Sequence, residues 1–312
     1  MKSIVYATDL HLTDKQPVNR VTPVLERSIK KLQSLLSIAE NNGGNLLLGG
    51  DVFDVPCPSY TLLERVFECI GNSSANVYLV RGNHDLKFLN DFQETAVTLL
   101  NAAQFIKILD TTTYIDGFNV VPFPYSRNLP LVIDTKGPYA GKYLFAAEEL
   151  PEKGKYDPIL VVAHAPIVTK PVPYDHILYK DIYTDADYLL CGHIHEQFEG
   201  KIISPTSRKK FTTLLNPGCV MRLKRNEVNI KPQAVVIYSS AGSTYHKYVP
   251  ITTEPVDFLE EVAPVVSFDT VKDEKKIDID DVTAYINNSK YNDVVKKEAL
   301  NLVKKQEASI HD

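Results

Sequence analysis

The sequence predicts an α/β fold on three observations: short apolar runs alternate with helical patterns, each run ends in a polar cluster, and 44% of the 312 residues are apolar. A chain of this length and composition can bury a substantial core, so one large domain with an appendage is expected in preference to two equal domains. Ser3 to Ala7, Asn45 to Leu48 and Val77 to Val80 read as strands, with Thr22 to Glu40 and Thr61 to Ile70 as the helices between them. That alternation is the mark of βαβ units. The polar clusters closing these strands are Thr8-Asp9-Leu10-His11, Gly50-Asp51-Val52-Phe53-Asp54 and Gly82-Asn83-His84-Asp85. Ligands of open α/β sheets bind beyond the carboxyl ends of the strands, so the clusters are expected on one rim. Ile159 to Ala163 running into His164, and Tyr188 to Cys191 running into Gly192-His193-Ile194-His195, repeat the arrangement. Phe211 to Leu215, Ala234 to Tyr238 and Thr244 to Pro250 read as antiparallel strands of a second sheet. The main domain is thus expected over 1–252. From 253 to 312 an acid-rich stretch precedes the helical patterns Ile279 to Asn288 and Tyr291 to Lys305. This reads as a C-terminal appendage, or alternatively as a closing strand and helices packed on the main core.

Composition narrows the function classes. The formal charge of -5 gives no global electrostatic reason to bind nucleic acid, so such binding has to rest on local patches. No run approaches the roughly 20 apolar residues of a membrane span, and no basic segment with a long apolar run opens the chain. A cytoplasmic protein with no membrane partner is expected. The cysteines, Cys57, Cys69, Cys191 and Cys219, are far apart with no CxxC pair, which argues against a disulfide framework and a thiolate zinc site.

The strand-end clusters carry the chemistry. Asp9 and His11 are two apart at a strand end, where alternate side chains share a face, so both can reach one cation. A lone DxH triplet is more often a turn or cap. Asp51 follows Gly49 and Gly50, whose freedom to turn sharply leaves the carboxylate at the strand tip, where its two oxygens can bridge two cations. Asn83 offers an amide oxygen, a hard ligand, while the adjacent His84 diverges from it toward substrate. His164, His193 and His195 complete the set, and five of the eight histidines fall in these clusters. Imidazole is the commonest metal ligand, and joint occurrence outweighs the structural reading of each histidine alone. Together the seven side chains can hold two cations about 3.5 to 4 Å apart. Nitrogen and oxygen ligands without sulfur suggest Mn²⁺, Fe or Zn²⁺. Two such cations lower the pKa of a shared water, align the attacking hydroxide and offset charge on a phosphoryl group, which is the chemistry of phosphate ester hydrolysis.

The ordered set Asp9-x-His11, Gly50-Asp51, Gly82-Asn83-His84-Asp85, His164 and Gly192-His193-Ile194-His195 resembles the calcineurin-like metallophosphoesterases over about Lys2 to Pro250. The resemblance implies a four-layer α/β/β/α sandwich with a C-terminal appendage. It also implies Asp9, His11, Asp51 and His195 around one metal, and Asp51, Asn83, His164 and His193 around the other. His84 is implied as general acid or transition-state stabiliser, with Asp54, three residues after the bridging Asp51, as the carboxylate that orients it. Gly50-Asp51-Val52-Phe53-Asp54, then Pro58-Ser59-Tyr60 and Asn216-Pro217-Gly218, are similar to the bacterial and phage SbcD-type nuclease subunits of DNA-repair complexes. That likeness implies a Mn²⁺-dependent DNA exonuclease or endonuclease in a bacterial or phage-infected cell. It implies too a C-terminal segment that binds a coiled-coil ATPase of the SbcC type; a homodimer is a separate expectation.

A local charge argument supports DNA despite the negative total. Lys201 to Arg225 holds Lys201, Arg208, Lys209, Lys210, Arg222, Lys224 and Arg225 with no acidic residue. Contacts to phosphates need no base specificity, so Arg208, Lys209, Lys210 and Arg222 are expected substrate contacts. A solvated hairpin surface is the equal alternative. His176, in the Pro-rich loop Lys170 to Lys180, is a further expected contact, and Tyr125, Tyr139 and Tyr143 are expected to pack or to stack on unpaired bases. A small-molecule phosphodiesterase, a phosphomonoesterase including a protein phosphatase, or a catalytically silent binding scaffold are the alternatives to the nuclease.

Overall fold

The computed structural model describes residues 1–17, 23–87, 94–126, 142–145, 157–203, 211–240 and 243–251. All lie in the first of two units, Met1–Leu259 and Glu260–Asp312, so the expected appendage at 253–312 and its partner-binding role fall outside the described residues.

The chain opens with β1 (Lys2–Ala7), α1 (Val24–Glu40), β2 (Asn45–Leu48), α2 (Tyr60–Gly71), β3 (Asn76–Leu79), α3 (Ala96–Ala102) and β4 (Lys107–Ile108). The four strands lie parallel, each beside the next. Helix α1 forms where Ile29, Leu32, Leu36 and Ala39 recur at helical spacing and bury one stripe. At the start of α2 the Ser59 hydroxyl accepts from Leu62 N at 3.1 Å, and Thr95 with Thr98 makes a capping box at α3. Helix α3 was not expected from the sequence, its seven residues being too short for a periodic signal.

Next come β5 (Thr113–Ile115), β6 (Phe118–Phe123), β7 (Tyr143–Leu144), β8 (Ile159–His164), β9 (Ile167–Val168), β10 (Ile177–Leu178) and β11 (Ile182–Tyr183). After these run β12 (Tyr188–Gly192), β13 (Phe198–Ile203), β14 (Phe211–Asn216), β15 (Gln233–Ser240) and β16 (Ser243–Pro250). One sheet has the order β16-β15-β1-β2-β3-β4 and the other β13-β14-β12-β8-β6-β5. The expected antiparallel sheet of three late strands is therefore corrected. Strand β14 lies parallel to β12, while β15 runs antiparallel to β1 and joins the first sheet with β16. Strand β15 buries both faces, Ala234 and Val236 under the helices and Val235 and Ile237 between the sheets, which an inner strand requires. A continuous apolar run has that property in either sheet, so the sequence did not choose between them.

The core lies in three layers. Leu32, Leu36, Leu62 and Val66 of α1 and α2 pack on Val5, Leu46 and Leu48 of the first sheet. Ile4, Tyr6, Leu47 and Val235 of that sheet face Phe118, Leu160, Val162 and Leu190 of the second. The outer face of the second sheet, with Val161, Ala163 and Leu189, packs against Phe145, Ile167, Ile177 and Ile182. Among the described residues this outer covering consists of short strands and turns, and the segments 127–141 and 146–156 lie outside those residues. The four cysteines are free, with Cys191 and Cys219 buried and Cys57 exposed. No helix among the described residues is long and apolar enough to cross a membrane.

Candidate metal centre

Both sheets aim the carboxyl ends of their strands at one place. Asp9 follows β1, Asp51 follows β2, Asn83 follows β3, His164 ends β8, and His193 and His195 follow β12. Backbone bonds hold the loops together: Asp9 N donates to Gly50 O at 3.0 Å, His11 N to Asp51 O at 2.9 Å, and Val220 N to Asp9 O at 3.0 Å. Glycine is required at Gly82, where a Cβ would lie 2.1 Å from Asp51 Oδ1 and 2.7 Å from His164 Cε1.

The seven expected ligands converge in two overlapping groups. In the first, His11 Nε2 lies 3.0 Å from His195 Nε2, 3.8 Å from Asp9 Oδ1 and 3.7 Å from Asp51 Oδ2. In the second, Asn83 Oδ1 is 2.8 Å from His193 Nδ1 and 3.1 Å from His164 Nε2, which is itself 3.4 Å from Asp51 Oδ2. One oxygen of Asp51 thus faces both groups. Its other oxygen accepts from His84 N at 2.8 Å. Ligands about 2.0–2.2 Å from a cation stand about 3.0–3.4 Å from one another, close to the spacing within each group.

The hydrogen-bond network fixes what these atoms present. His164 Nδ1 donates to Gly49 O at 2.7 Å and His195 Nδ1 to Glu227 Oε1 at 2.6 Å, so each turns a bare Nε2 inward. Backbone His193 N donates to both Asp9 oxygens at 3.1 Å, and the Thr8 hydroxyl to Asp9 Oδ2 at 2.8 Å. In the neutral rings the Nε2 atoms of His164 and His195 join the oxygens of Asp9, Asp51 and Asn83 in directing lone pairs into the cluster. Such a set calls for positive charge. Without a cation a proton takes its place on His164 Nε2: burial would lower the group, yet the Asp51 carboxylate outweighs it and raises it to about 9. Burial would raise Asp51, but the charges of His164, His11 and His84 hold it well below the ordinary carboxylate range. Burial, with the charge of His164, pushes His193 down to about 4, keeping it a neutral donor. The residues fit two divalent cations: Asp9, His11, Asp51 and His195 could hold one, and Asp51, Asn83, His164 and His193 the other.

The expected role of Asp54 is corrected. His84 Nδ1 is bonded at 2.6 Å by the backbone carbonyl of Asp54, whereas the carboxylate turns to His11, its Oδ1 3.6 Å from His11 Nδ1. Backbone geometry decides this, since Leu12 pairs with Phe53 and Asp54 N donates to Leu12 O at 3.1 Å, laying the Asp54 side chain beside the His11 loop. Arg222 does not fit a phosphate contact either: it is 7% exposed and its guanidinium donates to Val228 O at 3.1 Å. His176 bonds Tyr174 O at 2.7 Å, and Tyr174, not His176, lines the cleft. Arg208, Lys209, Lys210 and Tyr139 lie outside the described residues. Tyr143 packs on the outer core, and the Tyr125 ring lies 5.6 Å from that of His193.

Two supporting carboxylates escaped the sequence reading. Asp85, fully buried, accepts from Asp51 N and Gly82 N at 2.8 Å and from Val52 N at 3.0 Å, tying the β2 and β3 loops together. Burial and then the Asp51 charge push it up to about 7. Its place in Gly82-Asn83-His84-Asp85 was the available signal. Glu227 supports His195 from far along the chain, with no sequence signal at all.

A cleft of about 640 Å³ opens over the cluster, lined among others by His84, Lys15, Tyr174 and Lys224. A second cavity of about 590 Å³ shares Tyr174, His195 and Lys224 with it and continues past Gln197 and Asn229.

The sequence pattern of the calcineurin-like phosphoesterases matches residues 2–197. No curated protein matches the chain. Among solved structures, the chain is similar to a dimetal phosphatase from Danio rerio, with 11% identity, a TM-score of 0.48, and coverage of 82% of this chain and 98% of that one. It is similar also to a 5'-nucleotidase precursor from Thermus thermophilus, with 12% identity, a TM-score of 0.41, and coverage of 82% and 56%. The match to the family pattern spans well over half the chain and takes in all seven clustered donors, so the chain belongs to the calcineurin-like phosphoesterase family.

Proposed function

We propose that the chain is a two-cation phosphodiesterase with DNA as substrate. The observation that carries the reading is the single Asp51 oxygen facing His11 Nε2 at 3.7 Å and His164 Nε2 at 3.4 Å, the arrangement of a carboxylate shared by two cations. When bound, such cations supply an activated water and offset the charge that develops on the phosphoryl group. The chain's own residues do the rest. His84 has its Nδ1 held by the Asp54 carbonyl, which leaves Nε2 to give a proton to the departing oxygen in the cleft. Lys15 and Lys224 on the walls attract and orient the phosphate. The cleft over the cluster and the cavity that shares Tyr174, His195 and Lys224 with it leave room for a substituent beyond the phosphate, which suits a diester.

A specific observation favours a second reading, a smaller phosphodiester or monoester: among the described residues, Lys15 and Lys224 are the only lysines or arginines that line the two cavities. Hydrolysis of linear and single-stranded DNA, bis(p-nitrophenyl) phosphate and p-nitrophenyl phosphate, each with and without Mn²⁺, separates the two. DNA cleavage that requires Mn²⁺ supports the nuclease; turnover of the monoester alone removes the diesterase reading.

A further inference from the structure

Glu227 lies beyond residue 197, where the family pattern ends, yet it is bonded to one of the clustered donors. It is 3% exposed, and both of its oxygens are engaged. Oε1 accepts from His195 Nδ1 at 2.6 Å, and Oε2 accepts from Lys224 N at 2.8 Å. The turn that carries it is closed by Glu227 N donating to Lys224 O at 3.1 Å and Ile230 N donating to Glu227 O at 3.0 Å. His195 needs such a tether: its side chain is 20% exposed, whereas those of His11 and His164 are 4% and 0% exposed and are held by their surroundings. A carboxylate on the outer nitrogen of a metal-facing imidazole fixes the ring's tautomer and orientation and makes the inner nitrogen a better donor.

We propose that Glu227 is a positioning residue: it aims His195 Nε2 at the cation that Asp9, His11 and Asp51 share, and through the Lys224 backbone it sets that part of the cleft wall. The inference rests on the two-cation reading of the site. It assigns part of the centre to a stretch of chain outside the family pattern. The test is calorimetric titration of the full chain with Mn²⁺, comparing wild type, Glu227→Ala and Glu227→Gln, with thermal unfolding of each in chelator. Wild type is expected to take up two ions. Glu227→Ala should keep one at wild-type affinity and bind the other about 10–100-fold more weakly. Glu227→Gln, whose amide oxygen still accepts from His195, should lie between the two. Two ions at wild-type affinity in both variants would overturn the proposal, as would equal weakening of both ions, which marks a general loosening of the fold. If Glu227→Ala does not fold, Glu227→Gln decides alone, selective weakening of one ion supporting the proposal and unchanged binding sinking it. Fewer than two ions in wild type would instead bring down the reading of the centre itself.

Discussion

Asp9, His11, Asp51 and His193 have φ angles of 51°, 44°, 54° and 84°, a left-handed conformation that side chains other than glycine rarely adopt. Each costs on the order of 1–3 kcal/mol and persists only where the surrounding structure imposes it. At Asp51 this gives a test that separates backbone from side chain. Asp51→Ala and Asp51→Gly should both lose cation uptake and hydrolysis, but in chelator the glycine variant should be more stable than the alanine variant by about 1–2 kcal/mol, as read from urea unfolding. Equal stabilities would show that the left-handed backbone is not strained. His84 is a different case, because it contributes its backbone to Asp51 and its ring to the cleft. His84→Ala is expected to leave metal content unchanged while slowing turnover about 10²-fold to 10⁴-fold, and undiminished turnover would end its assigned role. Since the Asp54 carbonyl, not its carboxylate, holds His84, Asp54→Ala should spare the His84 function and act on cation affinity through His11. Metal titration beside single-turnover kinetics distinguishes the two effects.

The loops after β2 and β3 are welded by one side chain. Asp85 takes up three backbone N–H groups that have no other place to go inside the core, and burying an unpaired donor costs about 1–3 kcal/mol. Asp85→Ala should therefore destabilise the protein by roughly 2–5 kcal/mol and also weaken cation binding, although its carboxylate bonds backbone N–H groups and none of the seven donor side chains. A variant with wild-type unfolding and wild-type metal content would refute this. The strands themselves were readable because their apolar runs end in polar groups, and the residues expected for β2 coincide with those found. What their hydrophobicity could not convey was partnership, since β15 has the same apolar character whichever sheet it joins.

At the scale of the whole molecule, the centre lies where two sheets meet, with three donor strands from the first and two from the second. Cations that bind only the folded form stabilise it, by about 2.7 kcal/mol when their concentration is 100 times Kd. Chelator should accordingly lower the Tm of wild type and leave that of Asp51→Ala unmoved; a chelator-insensitive wild type would contradict the two-cation reading. The sequence by itself determined the α/β class and singled out the seven side chains that the fold gathers at the strand ends, because strand ends followed by Asp, Asn and His at short spacing express local chemistry. Only the tertiary structure decided which sheet each late strand joins, which atom of Asp54 serves His84, that Arg222 is buried, and that Glu227 stands behind His195. These are contacts between residues far apart in the chain, and nothing in local composition encodes a direction in space until the two sheets have packed face to face.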